Sequence, residues 1–312
     1  MSKNNILCSG SFKPENSYLW AVWSLNESCN YKCRYCFIKD KGFASKEVID
    51  QTIAFLRSAP QKKKDVLLFG GEPTINPHFL YIVDELNKFC SMVQVFTNLS
   101  ASENFLFSCI EKNITFNITY HADVIKPQEF LSKLDFLRKN KASINFVNLM
   151  MLDDKRNDNE TVAEFCRTNE ITHKYLPISG GNEKNYWIES LKYSKREDVK
   201  SLRDIIVVKE DKTYNLTEIE YMVLNFFDYK GFYCYAGMRS MWITHRGDVY
   251  RCYNDKEQNI KFCTIYDKYP ELSYYICPYT RCTCEYFVPK ERELGLSNKH
   301  LEEINNDLRI TS

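Results

Sequence analysis

Apolar positions fall into short runs separated by amphipathic stretches, and the alternation repeats along more than half of the chain. Residues 19–25, Leu-Trp-Ala-Val-Trp-Ser-Leu, are rich in aromatic and branched side chains and predict a strand. Residues 45–57 predict a helix: Ser45 is a capping residue, Val48, Ile49, Ile53 and Leu56 recur at helical spacing, and Pro60 closes it. Val66-Leu67-Leu68-Phe69 is a continuous apolar run of the buried-strand type that breaks at Gly70-Gly71-Glu72-Pro73. Strands over 93–98, 114–120, 144–151 and 172–176 then alternate with helices over 79–89, 102–112, 127–139 and 160–168. Six strands separated by helices at a spacing of roughly thirty residues are βαβ repetition. This predicts an α/β fold: a parallel sheet with right-handed crossovers, closed only as far as an open, partial (β/α)6 barrel.

The pattern changes at both ends. Residues 1–17 are polar and read as a lead-in, and 18–180 hold the repeat. Residues 181–230 form a polar linker of mixed charge with one helical stretch over 217–227. In 231–312, Trp242-Ile243-Thr244 and Val249-Tyr250-Arg251 flank Arg246-Gly247-Asp248 and predict a β-hairpin in a small C-terminal domain. His245 and Arg246, at its turn, read as exposed.

Charge and composition narrow the function classes. The net charge is +1, and the run Lys62-Lys63-Lys64 reads as a solvated loop beside a strand. Neither nucleic acid nor membrane is expected as a partner. No stretch of eighteen apolar residues and no apolar signal core is present, so a cytoplasmic location is expected. Thirteen cysteines then read as metal ligands or reduced thiols. Three lie at 29–36 and six between Cys234 and Cys284, whereas Cys8, Cys90, Cys109 and Cys166 are scattered and read as single thiols.

Cys29, Cys33 and Cys36 stand in CxxxCxxC spacing directly after the first strand. A [4Fe–4S] cluster normally takes four thiolates. Three would leave one iron open, and an open metal position is a place for chemistry. Structural zinc is the alternative, but it needs a fourth His or Cys nearby, and the next cysteine is Cys90. In parallel barrels the chemistry sits at the C-terminal ends of the strands. The cysteine loop, Gly70-Gly71-Glu72-Pro73 and Thr97-Asn98 follow the first three strands and so share one rim.

A CxxxCxΦC loop after the first strand with GGEP after the second resembles the radical S-adenosylmethionine (SAM) superfamily over about residues 18–180. The resemblance implies that Cys29, Cys33 and Cys36 hold a [4Fe–4S] cluster whose open iron is chelated by SAM. It places Gly70, Gly71, Glu72 and Pro73 along the SAM amine, where glycine permits close backbone approach and carbonyls or Glu72 accept from an ammonium. Tyr35 would face the adenine, Asn98 and Thr119 the SAM carboxylate or ribose, and Leu176 the adenine through its backbone. At the position of Thr119 the family often has Ser. Read alone, the GGEP stretch is a tight turn with Glu72 near a helix start.

The second cysteine group, C-x12-G-x4-C from Cys234 to Cys252 with Cys277, Cys282 and Cys284 downstream, resembles the SPASM and twitch extensions of radical SAM enzymes. Six cysteines cannot fill two complete four-thiolate sets. The resemblance therefore implies a twitch form with one auxiliary [4Fe–4S] cluster, on Cys234, Cys252, Cys282 and Cys284. Cys277 is a substitute for either of the last two, Cys263 reads as a buried thiol, and a zinc knuckle is the alternative.

The implied chemistry is reductive cleavage of SAM to methionine and a 5′-deoxyadenosyl radical, which takes hydrogen from a substrate. An electron donor such as flavodoxin or ferredoxin is implied with it. Tyr120, His121 and Asp123 after the fourth strand and Asp153 after the fifth are rim candidates. Among them His121, Tyr120 and Asp153 are the catalytic expectation, since histidine titrates near neutrality; the alternative for His121 is a plain loop residue. A small polar substrate such as a sugar, cyclitol or nucleotide-like molecule, oxidised or epimerised, is expected near Tyr186, Trp187 and Tyr193. Twenty-eight residues precede Cys29, too few for a leader-binding domain. A peptide- or protein-modifying maturase is the alternative.

Overall fold

Strand β1 (Tyr18–Asn26) sets the two faces of the molecule. Its odd-numbered side chains Leu19, Ala21, Trp23 and Leu25 are fully buried in the main core. Its even-numbered ones point to the opposite, inner face, as the two-residue period requires. The computed structural model describes residues 18–36, 38, 42–176, 178, 205–209, 212–216, 233–272, 275–279 and 290–291.

The repeat folds as its pattern predicts. Helix α1 (Lys46–Ser58) starts at Ser45, whose side chain accepts from the Val48 N–H, and buries Ile49, Ile53 and Leu56. Strands β2 (Lys63–Gly70), β3 (Met92–Thr97), β4 (Thr115–Tyr120), β5 (Ser143–Met150) and β6 (His173–Leu176) follow in order. Helices α2 (Phe79–Asn87), α3 (Glu103–Glu111), α4 (Pro127–Lys139) and α5 (Arg156–Thr168) intervene. β1 to β6 pair in parallel and in sequential order. The apolar stripes of the helices fill the outer core with side chains such as Ile82, Leu86, Leu106, Phe130, Leu134 and Val162. Each such side chain contributes about 1.5–3 kcal/mol by leaving water. Cys109 and Cys166 are fully buried there, and burial pushes both thiols up to about 12. Among the described residues no helix is long and apolar enough to cross a membrane.

Two features were not foreseen. A hairpin of β7 (Ile205–Lys209) and β8 (Lys212–Leu216) lies in the segment read as a polar linker. Its Ile205-Ile206-Val207-Val208 run was the available signal. The helix expected over 217–227 and the aromatic residues Tyr186, Trp187 and Tyr193 lie outside the described residues.

The second concerns the C-terminal part. The expected hairpin forms from β10 (Ser240–Ile243) and β11 (Asp248–Tyr250), and β12 (Cys263–Thr264) adds to it. Yet β10 pairs in parallel with β1, from Trp20 opposite Ser240 to Trp23 opposite Ile243. The result is one nine-stranded sheet in the order β12-β11-β10-β1-β2-β3-β4-β5-β6. The extension also grips α1: Gln51 donates to the Ile265 carbonyl at 3.1 Å, and Phe55 stacks on Tyr269 at 5.0 Å. The boundary drawn at 231 is therefore no boundary of the sheet. His245, expected to be exposed, is 7% exposed and lies against Gly42 at the end of the cysteine loop, whereas Arg246 is exposed. A separate small sheet joins β9 (Tyr233–Cys234) to β13 (Tyr275–Ile276) and β14 (Lys290–Glu291).

Candidate active site

The rim at the C-terminal ends of β1 to β4 carries the cysteine loop, and its base is pinned by backbone. Asn26 pairs with Phe43, the Glu27 N–H donates to Gly42 and the Ala44 N–H donates to Leu25, so the chain leaves and re-enters the sheet at one point. The loop after β2 is stitched to the same spot: the Gly71 N–H donates to the Asn26 carbonyl at 2.8 Å and the Glu72 N–H to the Ser28 carbonyl at 3.0 Å. The two glycines answer to this crossing. Gly70 has φ +136°, and a Cβ there would lie 1.9 Å from the Asn26 oxygen; one on Gly71 would lie 2.1 Å from the Ser28 oxygen.

Glu72 is fully buried. Its Oε1 accepts from the Thr74 N–H, the Thr74 hydroxyl and the Thr97 hydroxyl, and its Oε2 accepts from the Asn98 N–H at 2.7 Å. Burial raises its pKa, and these four donors pull the other way. The carboxylate thus caps the short 3-10 turn Pro73–Ile75 and ties the ends of β2 and β3 together. Acceptance of a ligand ammonium by this side chain, one of the two expectations for the motif, meets a carboxylate already engaged; the backbone of the turn is the part that remains.

Asn98 likewise turns toward the cysteine loop. Its Nδ2 lies 3.2 Å from Asn30 Oδ1 and 3.8 Å from Cys29 Sγ, and its Oδ1 accepts from the Ser100 N–H. Thr119 is half-buried on the inner face, opposite Asn148 in the β4–β5 register.

Cys29 and Cys36 are exposed and Cys33 is half-buried, all three as free thiols. Burial pushes Cys33 up to about 12 and raises Cys29, and each feels the charge of its fellow cysteines. Cys29 and Cys33, so disposed, ionise readily only against a cation, which is the service a metal centre performs. The donor set therefore fits an iron–sulfur cluster. Among the described residues no three His, Cys, Asp or Glu side chains converge as around a single ion; a cubane spreads its thiolates over separate irons.

The far side of the loop docks on β4 to β6. Tyr35 is 5% exposed and packs against Met150, Leu152, Ile178 and Leu176. Its hydroxyl lies 2.6 Å from His121 Nδ1, and the two rings stack at 6.0 Å. The same Nδ1 is 3.4 Å from Cys33 Sγ, and Tyr31 meets the imidazole edge-on. Burial lowers the His121 pKa to about 4, so the ring is neutral near pH 7. It acts here as a packing partner of the cysteine loop. The Asp123 carboxylate accepts from the Arg34 N–H at 2.9 Å, and Arg34 pairs with Asp154. Of Asp153 only the backbone is described, in the 3-10 turn Asp153–Lys155.

Tyr120 does not reach the rim space. It shares its face with Phe116 and Ile118, is fully buried, packs on Phe130 at 4.8 Å and donates to the Ile125 carbonyl at 3.2 Å. The two-residue period explains this: Thr119 faces inward, so Tyr120 faces the helices. Tyr120→Phe should therefore destabilise the fold by about 1 kcal/mol and leave the SAM cleavage that the resemblance implies within twofold of wild type. Denaturant unfolding and a 5′-deoxyadenosine assay measure both; a tenfold loss of cleavage would return Tyr120 to the chemistry.

Polar residues that the pattern did not reveal organise the rim: Asn26, Arg34, Thr74 and Asp154. Hydropathy does not distinguish a buried asparagine from a loop one. The inner face below the rim is aromatic. Phe146, Phe96, Phe69, Trp242 and Tyr253 follow one another with ring centroids 5.1–5.8 Å apart, from β5 to the extension.

The second cysteine group also gathers. Cys234, Cys252 and Cys277 are buried in one cluster with Ala236 and Tyr279, flanked by Tyr235 and Tyr275. Cys252 caps the short helix α6 (Tyr253–Glu257), accepting from the Asp255 N–H at 3.4 Å. Cys282 and Cys284 lie outside the described residues. Cys263, in β12, is half-buried.

The sequence profile of the radical SAM superfamily matches residues 23–215. No curated protein matches the chain. Among solved structures, native anSMEcpe with bound AdoMet and Cp18Cys peptide aligns at 14% identity and TM-score 0.54, covering 81% of this chain and 79% of that one. SuiB of Streptococcus suis bound to S-adenosylmethionine aligns at 14% identity and TM-score 0.54, covering 82% and 66%. At such identities the likeness is one of fold.

Proposed function

Because the chain belongs to the radical SAM superfamily, we propose that Cys29, Cys33 and Cys36 are the thiolates of its SAM-binding [4Fe–4S] cluster and that the turn Gly70–Pro73 receives the SAM amine. When bound and reduced, that pair supplies a 5′-deoxyadenosyl radical that abstracts hydrogen from substrate. The observation that carries the assignment is the backbone stitching of the cysteine loop to the Gly70–Pro73 turn. It holds three thiols and a set of backbone carbonyls at one rim in fixed relation. Tyr35, Leu176 and Met150 give an apolar wall on the opposite side that suits the adenine, and Thr119 offers a hydroxyl from the inner face. His121 holds Tyr35 in place; Tyr120 has no part.

For the second site we infer an auxiliary cluster. Burial of Cys277 beside Cys234 and Cys252 supports these three as ligands, with the fourth from Cys282 or Cys284. This takes up the alternative that the sequence left open, with Cys277 in place of either Cys282 or Cys284. A cluster with four thiolates is closed to substrate and suits electron transfer. A flavodoxin- or ferredoxin-type donor would serve the first cluster.

For substrate the proposal is a small polyhydroxylated molecule. The inner face combines half-buried rings with Asn148, Thr119 and Lys174, a mixture that stacks on a sugar-like ring and hydrogen-bonds its hydroxyls. A peptide is the second reading: the anSMEcpe structure carries a peptide, and a SuiB structure of TM-score 0.53 is bound to precursor peptide SuiA.

Two measurements test this. Anaerobically reconstituted protein should hold about eight iron, and Cys29, Cys33 and Cys36 replaced together by alanine should leave about four. A wild type with four disproves the auxiliary site. Cell extract should stimulate 5′-deoxyadenosine release. Stimulation that survives protease and is lost to periodate supports the small polyol; the reverse supports the peptide.

A further inference from the structure

We propose that Asn26 is a positioning residue that sets the distance between the first cluster thiolate and the SAM-binding turn; the inference rests on the reading of the rim just given. Asn26 is the last residue of β1 and is fully buried. Its Nδ2 donates to the Ser28 carbonyl at 2.7 Å and to the Glu72 carbonyl at 3.1 Å. One acceptor precedes Cys29 directly; the other belongs to the turn after β2. The Asn26 backbone carbonyl accepts from Gly71, and its backbone pairs with Phe43 where the loop returns.

A single residue thus holds three strands of chain: the exit of the cysteine loop, its return and the turn. A short side chain with two torsions, both fixed by burial, is a stiff spacer. Both N–H groups of the amide are spent on carbonyls, and Oδ1 meets no donor among the described residues. The contribution of the amide therefore lies in donation. Aspartate has the same shape and nothing to donate, and places an oxygen against two carbonyls. Serine keeps one donor. Neither substitution replaces a thiol or a residue of the turn.

The test uses Asn26→Asp and Asn26→Ser in the full chain. In apo-protein, alkylation of Cys29 relative to Cys36, followed by mass spectrometry, should quicken severalfold in Asn26→Asp and less in Asn26→Ser. This readout needs neither iron nor SAM, so it judges the positioning claim even if the cluster assignment fails. In reconstituted protein the four irons of the first site should remain. SAM should bind about tenfold more weakly, in line with lost hydrogen bonds, and the SAM-induced change in the EPR spectrum of the reduced cluster should shrink. Far-ultraviolet circular dichroism reports whether the sheet is intact, and if Asn26→Asp does not fold, Asn26→Ser decides. Wild-type alkylation ratio and wild-type SAM affinity in the folded variants would overturn the proposal. Absence of SAM binding in the wild type would instead overturn the reading beneath it.

Discussion

Gly71→Ala should reduce SAM cleavage to about one per cent of wild type or less while the sheet stays folded. The new methyl group would sit 2.1 Å from the Ser28 oxygen, 2.5 Å from the Ser28 carbon and 3.0 Å from the Cys29 nitrogen. All three are backbone atoms, so no rotamer change relieves the clash. The cysteine loop or the turn must move apart by about 1 Å, and a displacement of that size at a reacting centre removes about a hundredfold in rate. The hydrogen bonds from Gly71 to Asn26 and from Glu72 to Ser28 would break with it. Gly42→Ala is the contrast. The three atoms nearest to its methyl group would all belong to the His245 ring, the first at 2.9 Å, a side chain able to shift. Cleavage there should fall by less than tenfold. Both variants are read by 5′-deoxyadenosine release under dithionite, beside the denaturant midpoint of the apo-protein. Half of wild-type activity in Gly71→Ala would show that the loop and the turn are not rigidly coupled.

That coupling was half legible in the sequence. The alternation of apolar runs and amphipathic stretches gave six strands in sequential order, because helix and strand periods differ and each element buries one face. The cysteine spacing and the GGEP turn marked the rim. What the turn does locally was not visible. The glycines read as room for a ligand, whereas the structure shows them first as room for the neighbouring loop. Glu72 read as a ligand group, yet four donors surround it. The orientation of Tyr120 is legible in the pattern: Phe116, Ile118 and Tyr120 share one parity, and the inner face belongs to Asn117 and Thr119. His121 was not readable, since its partners Tyr31, Tyr35 and Cys33 come from a loop nearly ninety residues away.

The pairing of β10 with β1 lay beyond any local pattern. More than two hundred residues separate Trp20 from Ser240, and nothing in either run announces a parallel partner. The consequence is functional. The extension is not an appendage beside the barrel; it continues the sheet at its open edge and brings Trp242 against Phe69, next to the Gly70–Pro73 turn. The second cysteine group is thereby tied to the wall of the inner face, while its own hydrogen bonds are made within the extension.

Asp255→Ala should therefore lower iron content from about eight to about four while substrate-free SAM cleavage at the first site stays within twofold. Asp255 is fully buried. Its carboxylate accepts from Arg251 Nε at 2.7 Å and from the Tyr279 hydroxyl at 2.6 Å, and its own N–H donates to Cys252 Sγ at 3.4 Å. Arg251 in turn covers the Tyr275 ring at 3.8 Å, and Tyr275 pairs with Cys234. One carboxylate thus joins the segment of Cys252 to those of Cys234 and Cys277. Alanine would leave the guanidinium and the phenol without their acceptor. Removing one partner of a buried ion pair costs about 3–5 kcal/mol, and Arg251, 24% exposed, places this case near the lower figure. Asp255→Asn retains an acceptor for one partner and should fall between alanine and wild type. Iron analysis, circular dichroism and 5′-deoxyadenosine release separate the outcomes. If Asp255→Ala keeps about eight iron, the carboxylate does not organise the second site; if it loses both clusters, the two sites do not fold independently of one another.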